Sequence, residues 1–152
     1  MTTGVPAAIA EAVRGWPVVG AWEQMLPLLT VDDDGGVRVC LLSRAELDTD
    51  GATLAAVVAS RSTAANLRRD GRATLMVVTG SAAVYARLGA AVLRDFPDGP
   101  LGVRFVVGDV KVDGVGVGLE PARYFVDAGL AENEAWGTSR FVLEELLASA
   151  ND

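Results

Sequence analysis

The stretch from Val37 to Thr79 constrains this chain most. Two apolar β-type runs, Val37–Ser43 and Thr53–Val58, lead into a polar corner, Ser60-Arg61-Ser62-Thr63. A short basic segment ending Asp70-Gly71 follows, and then a third β-type run, Arg72–Thr79. Near-continuous apolar runs of this length read as strands covered on both faces, which suits a small barrel backed by helices. Ser62 or Thr63 is placed to cap a helix running to Asp70, and Gly71 to close it in the left-handed conformation. Leu67 then faces the core, while Arg68 and Arg69 complement the negative end of the helix dipole. Hydroxyls and a guanidinium at a helix start also form a reasonable anion site, because the first-turn N–H groups are unpaired. The competing role for these residues is plain capping, with Arg61 in solvent.

The order of these pieces resembles the flavin-binding split-barrel family typified by pyridoxamine 5′-phosphate oxidase. In that family a strand carrying an Arg is followed by another strand and a Ser-Arg-Lys-type corner. Here Arg38 to Ser43 matches the first piece, and Arg61-Ser62-Thr63 with Asn66-Leu67 matches the second; the likeness spans roughly residues 28–89. It implies an FMN phosphate held by Arg38, Arg61, Ser62 and Thr63, with Ser43 and Asn66 in the same site. Ala56 and Val57 would lie on the strand whose backbone approaches the flavin ring. It also implies a C2 homodimer with each cofactor in a groove between subunits, and a small-molecule redox substrate. Ser43 and Thr63 stand where the family carries lysines. The C-terminal region lacks the Trp-, Arg- and His-bearing segment that recognises pyridoxamine phosphate, so that specific activity is not implied. Relatives of the same fold that take a deazaflavin or heme keep those cofactors open as alternatives. A non-catalytic dimeric module with weak or no flavin binding is a further one.

Around this centre the chain reads as one mainly β domain with peripheral helices, a six-stranded antiparallel split barrel over about residues 26–112. A helix is expected over residues 6–14, with Pro6 at its start and Gly15 beyond its end. Trp16 and Trp22 are expected to pack it down. Leu26–Val31 reads as the first strand and Asp32–Gly36 as a solvated turn, since the triple Asp lacks the spacing of a calcium loop. Asp48–Gly51 reads as another turn. Ala83–Leu93 and Val103–Val112 read as the last strands, with Tyr85, Arg87 and Gly89 on one face. Gly114–Gly118 is a loop or bent strand, not a dinucleotide fingerprint, because no strand–helix frame surrounds it. A short helix is expected within Glu120–Leu130, and a final one capped by Thr138 or Ser139 and running to about Ala148, within a helical segment of about 120–149. Tyr85, Trp136 and Phe141 read as core or interface aromatics, with stacking near a flavin as the competing role.

Composition excludes several classes. The chain has no His, so His-dependent hydrolase triads and ordinary zinc sites are out. Any redox chemistry would come from an organic cofactor. The net charge of −7 disfavours nucleic acid, and the Arg61, Arg68, Arg69 and Arg72 cluster suits at most one phosphate-bearing small ligand. No apolar run is long enough to span a membrane. Cys40, the single cysteine, lies in an apolar run and reads as a buried, inert thiol; with no export-type N-terminus, the expectation is a cytoplasmic protein. An apolar fraction of 51% without a membrane span points to a subunit interface.

Overall fold

Residues 43–46 join two strands that lie at opposite edges of one sheet. The structure, a computed structural model, describes residues 4–97, 99–114 and 116–149. Its main sheet is antiparallel and seven-stranded, in the order β3-β2-β6-β7-β8-β5-β4. These strands are β2 (Leu26–Val31), β3 (Val37–Leu42), β4 (Leu47–Thr49), β5 (Leu54–Val58), β6 (Arg72–Thr79), β7 (Ala82–Asp95) and β8 (Leu101–Gly114). Laid flat, the edges β3 and β4 would stand about 29 Å apart at the usual inter-strand spacing. The link between them reaches roughly 18 Å at most. The sheet therefore curls until its edges approach, which makes a barrel with an unpaired seam.

Alternation along the strands fills that barrel. Leu26, Leu28, Leu75, Val77, Val103 and Phe105 are among the inward residues and are essentially inaccessible to solvent. β5 explains its own unbroken apolar run. Leu54, Ala56 and Val58 point into the barrel, while Ala55 and Val57 point outward beneath α4 (Trp136–Ala148), against Val142, Leu143 and Leu146. α1 (Ala7–Val13) plugs the barrel with Ile9 and Val13, close to the expected span. Gly102 permits α4 to sit close, since a Cβ there would lie 2.6 Å from Phe96 and 3.0 Å from Val142.

Several local expectations are corrected by pairings distant in sequence. The sheet has seven strands rather than six, because β4 forms within the expected Asp48–Gly51 turn region, where Leu47–Thr49 pairs with Leu54–Ala56. Residues Arg123–Phe125, expected in a helix, form β9 and pair with β1 (Trp22–Gln24) in a separate two-stranded ribbon. Of the expected Glu120–Leu130 stretch only Leu130 is helical, as the first residue of α3 (Leu130–Asn133). Gln24 ties the ribbon to β6 by exchanging two hydrogen bonds with the Val78 backbone. Trp22 is 58% exposed and stacks edge-on with Phe125, so it does not hold α1; Trp16 packs against Trp136. The final helix begins at Trp136 after Ala135 in the left-handed conformation, and no side chain caps it; Ser139 is buried inside the helix. β8 extends to Gly114, and the rest of the glycine-rich segment includes residue 115, which lies outside the described residues.

α2 (Arg61–Asp70) ends as expected. Gly71 has φ of 69°, its N–H donates to Leu67 O at 2.8 Å, and its carbonyl accepts from Ala90 N. Gly71→Val should lower stability by about 1 kcal/mol or more, because an L side chain resists this conformation. Thermal or denaturant unfolding measures it, and an unchanged midpoint would show that the backbone there is ordinary.

Candidate functional site

α2 connects β5 to β6 and lies across β2 and β3. Its N-cap is Ser60, whose hydroxyl accepts from Thr63 N at 3.3 Å, rather than Ser62 or Thr63. With the cap two or three residues earlier, Arg61 and Ser62 become the first two helical residues, and both are exposed. Among the described residues neither side chain has an ion-pair or hydrogen-bond partner. Their N–H groups lie in the first turn, where no intrahelical acceptor exists. Thr63 turns inward instead. It is fully buried, and its hydroxyl sits beside the Cys40 thiol without a well-formed hydrogen bond. Burial pushes the Cys40 thiol up, in keeping with an inert cysteine.

The far half of α2 is already engaged. Arg38 donates from Nε to Asp32 Oδ1 at 2.8 Å and from Nη2 to Oδ2 at 3.0 Å. Asn66, buried to 3%, donates to Asp32 Oδ1 at 2.8 Å and to Thr30 Oγ1 at 3.0 Å. Arg69 donates to Asn66 Oδ1 and to the Val31 carbonyl, and Arg68 pairs with Asp95. Asp32–Gly36 forms the expected turn, closed by Asp32 N donating to Gly36 O and Gly35 N to Asp32 O, but the Asp32 carboxylate is not left to solvent. It fills the space between Arg38 and Asn66, and the Arg38 and Asn66 hydrogen bonds hold its carboxyl below the usual value.

The remaining sequence candidates are scattered. Ala56 is buried with backbone pairing on both sides, to Leu47 and Val103. Val57 is buried beneath α4, and its N–H donates to Glu46 O. Neither faces an open groove. Ser43 lies at the opposite end of β3 from Arg38, where its N–H and hydroxyl both donate to Glu46 Oε1 at 3.1 Å. The structure thus brings Arg61 and Ser62 together at one end of α2, and Arg38 and Asn66 around Asp32 at the other. Tyr85 lines an outer groove with Arg87 and Lys111, Phe141 is 55% exposed against Phe96, and Trp136 is buried. Sequence reasoning did not single out Glu46 or Tyr124. Neither lies in a motif, and their proximity depends on the barrel closure and on the β1–β9 pairing.

The Asp32 cluster generates a pH prediction. The carboxylate is held in the folded state with a lowered pKa, so its stabilisation is present above its ordinary value of 3.8 and is lost as pH falls through the lower folded value. The wild-type chain should melt above Asp32→Asn at pH 7, and the gap should close only below about pH 3.8. Equal melting temperatures at neutral pH would show that the cluster carries no stability.

No protein-family model matches the sequence, and neither does any curated protein. Solved structures do match in fold. A protein from Shewanella frigidimarina NCIMB 400 with a split barrel domain superimposes with TM-score 0.53 at 12% identity, over 70% of this chain and 83% of its own. The flavin reductase of styrene monooxygenase from Pseudomonas putida S12 gives 0.52 at 9% identity, over 68% and 86%. A Clostridium acetobutylicum protein of the pyridoxinephosphate oxidase family, related to general stress protein 26 of B. subtilis, gives 0.50 at 11%, over 68% and 87%. The seven-stranded curled antiparallel sheet, with helices packed outside it and at its end, is the split-barrel fold that these proteins share.

Proposed function

We propose that the chain binds a flavin, FMN by preference, and acts as a flavin-dependent oxidoreductase. One observation carries the phosphate end of this reading. The start of α2 presents the Arg61 guanidinium, the Ser62 hydroxyl and unpaired first-turn N–H groups, with no acidic side chain bonded to them among the described residues. These residues fit a phosphate. Arg38 and Asn66 fit one less well, because Asp32 already satisfies them. β3 lies at an edge of the sheet, so one side of its backbone is unpaired within the chain and open to a planar polar ring. A bound flavin would supply the hydride and electron chemistry; the chain would bind, orient and shield it. The fold neighbours that include a flavin reductase support this reading.

The same hairpin supports a homodimer. Val31, Val37, Val39 and Leu41 are 46–66% exposed, and register puts Val31 opposite Val37 on one face. An apolar edge left open in this way invites a second copy of the chain. A second functional reading, a dimeric module with weak or no flavin binding, is favoured by the Asp32 carboxylate lying between two of the sequence candidates.

Titration with FMN and with riboflavin, followed by flavin fluorescence, separates the two readings. Arg61→Ala should weaken FMN about ten- to hundred-fold and riboflavin much less, the effect of one charge-assisted hydrogen bond. Arg68→Ala, whose partner is Asp95, should change neither. Equal weakening of both ligands rejects the phosphate site, and no binding of either by the unmutated chain favours the second reading. Sedimentation at micromolar concentration should give twice the 15.8 kDa chain mass, and a species at 15.8 kDa would overturn the dimer.

A further inference from the structure

A cavity of about 230 Å³ opens between the end of β3, the link to β4, β9, α3 and the start of α4. Leu41, Ser43, Glu46, Tyr124, Glu134 and Trp136 are among its lining residues. An apolar cavity of about 150 Å³ holds benzene. This one accommodates a single ring with a short arm.

Its charged groups, Glu46 and Glu134, have one sign. Glu46 Oε1 is satisfied by the N–H and hydroxyl of Ser43, whereas Oε2 has no hydrogen-bond partner among the described residues. The Ser43 hydroxyl has its one proton on Glu46 and also accepts from Ala45 N at 3.2 Å. The Tyr124 hydroxyl is buried beside Ser43 without a well-formed hydrogen bond among the described residues. Glu134 adds a second carboxylate, and its charge reinforces burial in pushing the Glu46 carboxyl up. Among the described residues no Arg or Lys lines the cavity. The adjoining cation, Arg44, is committed to both carboxylate oxygens of Glu23 and to the Arg14 carbonyl. Aromatic walls from Tyr124 and Trp136 complete a space in which a ring bearing positive charge gains both contact area and a counter-ion.

We propose that this cavity binds a small single-ring organic cation, an amine or ammonium compound, with the free oxygen of Glu46 as its counter-ion. This site stands whether or not the chain takes a flavin, because it shares neither Arg61 nor Ser62.

Calorimetric titration of the full chain with benzylamine, benzyl alcohol and benzoate tests it. These probes share a ring and a short arm and differ mainly in charge. Benzylamine should bind at least about tenfold more tightly than benzyl alcohol, and benzoate should not bind. Glu46→Gln keeps the shape and should weaken benzylamine about ten- to hundred-fold while leaving benzyl alcohol unchanged. Glu134→Gln, at an exposed position where folding is not at stake, should weaken benzylamine less but in the same direction. Equal binding of benzylamine and benzyl alcohol would reduce the site to an apolar hole and overturn the proposal. So would a preference for benzylamine that survives both substitutions, or failure of the unmutated chain to bind benzylamine.

Discussion

The four-residue link Ser43–Glu46 is the constraint on which the rest of this structure depends. It joins strands at opposite edges of a seven-stranded sheet and is too short to cross the sheet unless the sheet closes. The link is built to hold that geometry. Glu46 N donates to Ser43 O, Ser43 donates twice to the Glu46 carboxylate, Ala45 is fully buried, and Val57 N donates to Glu46 O. Closure creates the enclosed interior that Leu28, Leu75 and Phe105 fill. It also carries a carboxylate into a half-buried position that an open sheet would not provide. The link that closes the barrel therefore also furnishes the charged wall of the cavity beside it.

α2 is divided into an anchored half and a free half. Its last turns are tied to the β2–β3 hairpin through Asn66 and Arg69, and to the end of β7 through Arg68 and Asp95. Its first turn carries exposed Arg61 and Ser62. An anchored helix keeps first-turn N–H groups in a fixed direction, which is what anion recognition needs, since little ordering cost then remains at binding. Asp32 strengthens the anchor and at the same time occupies the donors of Arg38 and Asn66. Stability and ligand recognition compete there for the same guanidinium and amide.

Charge and apolar surface are also divided. The chain carries a net charge of −7, yet its β2–β3 hairpin presents Val31, Val37, Val39 and Leu41 to the outside. The acidic surplus favours solubility, while the uncovered face favours association in one place. Because β3 is also an edge strand, backbone pairing and apolar contact point in the same direction.

Much of the architecture was legible in the sequence. Apolar runs bounded by Asp- and Gly-rich turns located the six longer strands of the main sheet, and the pair Asp70-Gly71 marked the end of α2, because turn chemistry and side-chain periodicity are local. The order of strand, strand, basic helix and strand was enough to suggest a split barrel. Only the tertiary structure decided the rest. Arg123–Phe125 is a strand because Trp22–Gln24, from the other end of the chain, offers a partner. The helix signal around Pro121 was real but weaker than that pairing. Asp32 looked like a solvated turn residue until folding brought Arg38 and Asn66 to it. Arg61 and Arg38 were both candidates by motif, with the Arg61 corner the leading one, and the fold left Arg61 exposed and gave Arg38 a carboxylate. Glu46 and Tyr124 carried no signal at all, since a buried, partly unpaired polar group is defined by what surrounds it, and those surroundings come from segments distant in sequence.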